Sequence, residues 1–135
     1  MCRALHDGVE ARGGCSVSDT IPKTLPHPLI VNAVSAIQYI PDWHAALSQL
    51  AALRPDFFIV ARFTLTDGET YARQVLEAPS RKIAQWVFNR GVFIGEMRSL
   101  GYRPVIAFDH DQPVDHGNAP GPSVISSLVF APKQA

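Results

Sequence analysis

Cysteine is scarce in this sequence: Cys2 and Cys15 are the 2 cysteines among 135 residues, and neither has metal-binding spacing. A disulfide framework is excluded, and both side chains read as free thiols of a reducing compartment. Excess charge of one sign is missing too. Lys+Arg number 12 and Asp+Glu 12, for a formal net charge of +0. That argues against an electrostatic nucleic-acid binder or a partner for strongly acidic surfaces. No apolar run approaches the roughly 18 residues of a membrane span. The amino-terminal stretch carries Asp7 and Glu10 and no apolar core, so it does not read as a signal peptide. The expectation is a soluble, cytoplasmic protein. Repeats and low-complexity tracts are absent, and without a G-x-S-x-G elbow a hydrolase nucleophile has no motif to rest on.

What is present suits one globular domain over residues 1–135, with 47% hydrophobic and 18% charged residues, enough apolar content for a core without staples. Ala4 to Arg12 reads as a short helix stopped by Gly13-Gly14, and Cys15 to Ser18 as a brief strand. Pro22, Pro26 and Pro28 make Ile21 to Pro28 a connector. Leu29 to Ser35 is almost continuously apolar, as expected of a strand buried on both faces. Pro41-Asp42 then opens a helix whose Trp43, Leu47 and Leu50 define one face, ended by Arg54-Pro55. Phe57 to Ala61 is a second buried strand, completing a βαβ unit.

Further on, Thr64 to Ser80 reads as polar and irregular, with a turn at Thr66-Asp67-Gly68. A helix is expected from about Arg90 to Leu100, capped by Asn89, with Phe93, Met97 and Leu100 in phase and Gly101 as its stop. Strands near Tyr102 to Phe108 and Val124 to Phe130 close the chain. The Asp109 to Pro122 segment between them is rich in Asp, His, Pro and Gly. Its Asp109-His110-Asp111 and Asp115-His116 bring together metal-type donors, but polar residues are expected in a Pro- and Gly-rich hairpin loop anyway, so the solvated loop is the reading and no metal is assigned. The fold class is α/β: a parallel pair with a helix, then an antiparallel C-terminal hairpin, in one mixed sheet.

The order of these motifs resembles a known family. Asp19-Thr20-Ile21-Pro22, the strand Ile30 to Ser35, then Ala36-Ile37-Gln38-Tyr39-Ile40 with Asp42-Trp43, resemble the middle of class I S-adenosylmethionine-dependent methyltransferases. Leu53-Arg54-Pro55, a turn at Trp86-Val87-Phe88-Asn89, and Gly101-Tyr102 look closer to one subgroup of uncharacterised members. The resemblance implies a partial Rossmann-like methyltransferase sheet with helices on its faces. Within it Asp19 would accept from the adenine amino group, Thr20 would touch the ring through its backbone, and Val34 and Ser35 would line the cofactor. Gln38 and Tyr39 would face the methyl acceptor, a small or sugar-like molecule. Tyr39 or His44 would serve as base if the acceptor must lose a proton.

Alternatives stand beside these roles. Asp19-Thr20 is equally a turn or cap, and Tyr39 can pack on the Trp43 helix. Arg62, ending its strand on the carboxyl side, is a substrate-facing cation or a plain surface arginine. Trp86 is an acceptor-site wall or a core residue. The sequence also departs from the family. No glycine-rich G-x-G turn follows a strand, and Leu29 stands where an acidic residue often begins the fourth strand. The expectation is therefore the C-terminal half of such a domain, beginning after the cofactor cradle. Either it is an incomplete methyltransferase, or it is a non-catalytic module that dimerises or binds a partner. The Ile30 to Val34 strand would then present an unpaired apolar edge, to be met by a second copy, by a partner chain or by local rearrangement.

Overall fold

The computed structural model describes residues 17–114 and 119–134. The helix and strand expected between Ala4 and Ser18, apart from Val17 and Ser18, lie outside the described residues, as do Asp115 and His116. The elements run β1 (Ile30–Val34), a 3-10 turn (Ile37–Tyr39), α1 (Trp43–Ala52), β2 (Phe57–Thr66), β3 (Tyr71–Ala78), β4 (Arg81–Asn89), α2 (Arg90–Ser99), β5 (Tyr102–Val114) and β6 (Ser123–Pro132). The architecture is α/β with an open mixed sheet: β1 and β4 lie parallel to β2, β6 runs antiparallel to β2, and β5 antiparallel to β6.

Both helices form where caps and apolar spacing agree. The Asp42 carboxylate accepts from the Ala45 amide at 3.0 Å and starts α1, which buries Trp43, Leu47 and Ala51 at four-residue intervals. Asn89 accepts from the Val92 amide at 2.9 Å and starts α2, which buries Phe93 and Met97. Gly101 follows α2 at φ 94°, a left-handed conformation that costs glycine least. Trp43 and Phe93 stack at 5.8 Å, and both helices pack on one face of the sheet against Phe58, Val60, Phe63, Phe88, Leu128 and Phe130.

Strand β2 keeps that face apolar along its length only because of a bulge. Val60 opposes Leu128 and Phe63 opposes Ser126, so β2 spends one extra residue around Ala61-Arg62, where Arg62 stands at φ 55°. The extra residue resets the alternation, so Phe63 and Leu65 join Phe58 and Val60 in the core. The parallel neighbour of β2 changes at the same place. Pairing with β1 ends at Val34↔Ala61, and pairing with β4 begins at Leu65↔Phe88.

Three expectations are corrected. The stretch from Thr64 to Ser80 is ordered: β2 continues to Thr66, and β3 pairs antiparallel with β4 across the Pro79-Ser80 turn. Its residues look polar because the hairpin stands off the core and is held by its ladder, with Tyr71, Arg73 and Val75 only half-buried. Trp86 to Asn89 is the end of β4, not a turn. Asp109 to Asp111 belongs to β5, not to a loop. Asp109 is compatible with a strand because Arg90 Nη2 donates to its carboxylate at 3.0 and 3.1 Å, and the Ser126 hydroxyl donates to it from the opposing strand. Among the described residues no three His, Cys, Asp or Glu side chains gather as a metal site would require, and no helix is long and apolar enough to cross a membrane.

Candidate functional site

At the carboxyl end of β1 the chain turns sharply. The Ser35 amide donates to the Ala61 carbonyl at 2.8 Å with Ser35 at φ 48°, and the 3-10 turn follows at once. The bulge withdraws the Arg62 carbonyl from the ladder, and two side chains take it up. Gln38 Nε2 donates to it at 3.3 Å, and the Ser35 hydroxyl lies 3.5 Å away. On the other strand the Arg62 amide donates to Ser127 Oγ at 3.2 Å. Two non-glycine residues at positive φ, each costing about 1 kcal/mol or more, thus meet at one point.

The β3–β4 hairpin lies against this turn. Trp86 Nε1 donates to the Ile40 carbonyl at 3.1 Å, and Gln85 Nε2 donates to the Tyr39 hydroxyl at 3.4 Å. Gln85 Oε1 in turn accepts from Arg73 Nε at 2.9 Å and from Arg73 Nη2. Burial pushes the Arg73 guanidinium below its ordinary pKa, against the pull of the nearby Tyr71 and Tyr39. Gln38 is buried, and its Oε1 has no partner among the described residues. Between turn and hairpin lies a small cavity of about 110 Å³ whose lining includes Gln38, Tyr39, Ala72, Ala84, Gln85 and Trp86. A wider one of about 470 Å³, lined by Tyr39, Arg81, Ile83 and Ala84, shares Tyr39 and Ala84 with it.

A larger groove of about 570 Å³ runs past Asp56, Tyr102 and Gly101 near the amino-terminal end of β2. Its carboxylate and phenol are already committed. Asp56 accepts from the Leu29 amide at 2.7 Å and meets His27 at 3.1 Å, and these contacts hold its carboxyl below the usual range. The Tyr102 hydroxyl donates to the Pro55 carbonyl at 2.9 Å, and burial raises its pKa. In open α/β sheets ligands sit beyond the carboxyl ends of the strands, so the smaller cavity beside the 3-10 turn, with its largely apolar walls, is the candidate site.

Of the residues singled out in the sequence, Gln38, Tyr39 and Trp86 come together here. Ser35 joins them through its hydroxyl and Arg62 through its carbonyl. Val34 sits beside them in sequence but is 46% exposed on the sheet surface. His44 lies on α1, stacked on Trp43 at 3.6 Å with Nδ1 3.3 Å from Glu96 of α2. Asp19 and Thr20 occupy an exposed turn closed by Ser18, whose hydroxyl donates to the Thr20 carbonyl at 2.8 Å, and no hydrogen bond links them to the site. Sequence reasoning missed Gln85 and Arg73. Their alternation with Tyr71 and Val87 in a hairpin pattern was the available signal.

No family model matches the chain, and no curated protein matches it. Among solved structures it is similar to the Burkholderia thailandensis 1,6-didemethyltoxoflavin-N1-methyltransferase, a crystal structure with bound 1,6-didemethyltoxoflavin and S-adenosylhomocysteine. The identity is 16% and the TM-score 0.47, over 94% of this chain and 56% of that one. The chain thus spans about half the length of that protein.

Proposed function

We propose that this chain is the acceptor-binding part of a methyltransferase-type domain, with a small methyl acceptor held between the 3-10 turn and the β3–β4 hairpin. One observation carries the reading. The Ser35 to Tyr39 segment, on which the family resemblance places cofactor and acceptor contacts, lies at the carboxyl end of β1. There the neighbour of β2 changes, two residues hold positive φ, and a small, largely apolar cavity opens beside Gln38 and Tyr39.

The chain's own groups would act by positioning. The Gln38 amide fixes the Arg62 carbonyl, Trp86 fixes the turn, and Gln85 leaves the Tyr39 hydroxyl a proton to donate outward. A methyl acceptor held in this way needs alignment more than chemistry from the protein. Tyr39, 43% exposed at the mouth of both cavities, is the group in place to exchange a proton with it. His44, engaged by Glu96, ties α1 to α2 instead.

The implied cofactor, S-adenosylmethionine, fits the described residues poorly. Val34 and Ser35 are exposed and unwalled, Asp19 is not linked to them, and the cavity beside them is far smaller than the ~300 Å³ or more of an ordinary ligand pocket. That misfit supports a second reading, a methyltransferase-like module that takes no cofactor by itself. Titration of S-adenosylmethionine or S-adenosylhomocysteine into the purified chain separates the two. A ligand that binds only the folded state raises the melting temperature, by about 2.7 kcal/mol of stability at a hundredfold excess over Kd. A rise at micromolar ligand supports the enzyme reading, and no rise at millimolar ligand leaves the module.

A further inference from the structure

The hairpin beside the 3-10 turn carries its smallest side chains next to its largest. By register and alternation Ala72, Ala84 and Trp86 share one face of the β3–β4 ladder: Ala72 opposes Trp86, and Ala84 stands two residues before it on the same strand. The two methyl groups therefore lie about 5 Å across the ladder and roughly 7 Å along it from the Trp86 position. Both alanines are exposed and Trp86 is half-buried, so the indole stands at the end of a shallow recess with a flat apolar floor. Tyr39 forms another wall, and the cavities of about 110 and 470 Å³ meet here, since Tyr39 and Ala84 line both. The walls are set in advance: the Trp86 indole is held by the Ile40 carbonyl at 3.1 Å and the Tyr39 hydroxyl by Gln85 at 3.4 Å.

One acceptor in this recess is left over. Gln38 lines the smaller cavity, and its Nε2 donates to the Arg62 carbonyl at 3.3 Å. A carbonyl can only accept, so this bond fixes which end of the amide faces it, and Oε1 stays buried with no partner among the described residues. A buried acceptor without a donor is costly, and a ligand N–H or O–H that reaches it recovers the cost. Among the described residues no charged side chain lines the smaller cavity. We infer that the site takes a neutral, flat aromatic ring with one N–H or O–H donor on its edge. The ring lies over Ala72 and Ala84 between Tyr39 and Trp86, and its donor bonds to Gln38 Oε1. The inference rests on the acceptor-site reading above and narrows it. Aromatic rings gain from stacked or edge contacts with Tyr and Trp. A sugar-like acceptor does not fit, because it carries hydroxyls on every side. Among the described residues the smaller cavity offers them only Gln38, Gln85 and the Tyr39 hydroxyl, so most would meet apolar walls unmatched.

Indole and benzofuran are the probes, because they match in shape and differ in the N–H, with methyl glucoside as the sugar. Each is titrated to millimolar concentration into the isotope-labelled full chain, and nuclear magnetic resonance follows the amides of Tyr39 and Ala84 and the indole N–H of Trp86. Indole should move these signals and bind at least about tenfold tighter than benzofuran, the effect of one matched buried acceptor. Methyl glucoside should move none of them. Ala84→Leu, at an exposed position, fills the recess and should weaken indole at least about tenfold. Gln38→Met should leave indole and benzofuran equal. Equal affinities in the wild type overturn the role of Oε1, and unchanged indole binding by a folded Ala84→Leu chain overturns the placement. Methyl glucoside moving the signals where indole does not overturns the inference and leaves the acceptor-site reading standing; if no probe moves them, both fall. Gln38→Met also unseats the Arg62 carbonyl, so if it fails to fold, the wild-type comparison and Ala84→Leu decide.

Discussion

Asn89 performs two separable tasks, and their sizes can be predicted apart. Its Oδ1 caps α2 by accepting from the Val92 amide at 2.9 Å, while its Nδ2 donates to the Asp67 carbonyl at 3.2 Å and the Gly68 carbonyl at 2.7 Å. The cap is worth about 1 kcal/mol. Each donor bond, on a partly exposed turn, is worth about 0.5–1 kcal/mol. Asn89→Ser keeps a good capping oxygen and loses both donors, so it should cost about 1–2 kcal/mol. Asn89→Ala loses all three bonds and should cost about 2–3 kcal/mol, close to 10 °C in Tm for a domain of this size. The Asn89 amide, which donates to Thr70 Oγ1 at 2.9 Å, survives either change. Urea unfolding monitored by circular dichroism measures both, with an unchanged m-value confirming that stability and not compactness has moved. If Asn89→Ser matches wild type, the turn contacts contribute nothing; if it matches Asn89→Ala, the cap contributes nothing. Either result refutes the partition.

Two other perturbations follow from the bulge and from β5. Arg62→Gly removes a left-handed arginine at φ 55° while keeping the backbone bonds on both sides, so it should stabilise by up to about 1 kcal/mol after the entropy cost of glycine; a lower Tm would show that the Arg62 side chain contributes contacts. The hydroxyl of Ser126, and after it Arg90, hold the Asp109 carboxyl below its ordinary value. A depressed carboxylate contributes stability that is present above the unfolded pKa of 3.8 and lost as pH falls through the folded value. Wild type should therefore lose stability on acidification below about pH 4 more steeply than Asp109→Asn. The effect is limited to a few tenths of a kcal/mol to about 1 kcal/mol by the exposure of the pair. Identical acid limbs for the two proteins would refute that account.

What could be read in the sequence depended on how local its cause was. Asp42 and Asn89 announce α1 and α2 because a cap acts within three residues, and Trp43-Leu47 and Phe93-Met97 lie within one face of a single helix. The β3–β4 hairpin was obscure for the opposite reason. Arg73 and Gln85 satisfy each other across 12 residues, so neither looks like part of a strand when read alone. The carboxyl-terminal half of β5 was hidden in the same way, since Asp109 is matched by Arg90 and Ser126, 19 and 17 residues away. At the candidate site, motif order was enough to bring forward Gln38, Tyr39 and Trp86. The hydrogen-bonded relay from Arg73 through Gln85 to Tyr39 needed the hairpin to be folded first.

The bulge at Ala61-Arg62 links the three features on which a function for this chain would rest. By resetting the alternation it sends Phe63 and Leu65 into the core; were the same residues paired without a bulge, Thr64 and Thr66 would turn inward and those two side chains would move to the opposite face. By ending the β1 ladder it hands the edge of β2 to β4, and so brings the hairpin over the 3-10 turn, where Gln85 and Trp86 reach Tyr39 and Ile40. By freeing the Arg62 carbonyl it supplies the acceptor that seats Gln38 and draws in Ser35. A regular β2 would allow a good core or a good site, but not both, because the apolar residues on either side of Arg62 are out of phase. The left-handed arginine is the local cost of that arrangement, and it falls at the carboxyl end of a parallel pair, where ligands bind in sheets of this kind.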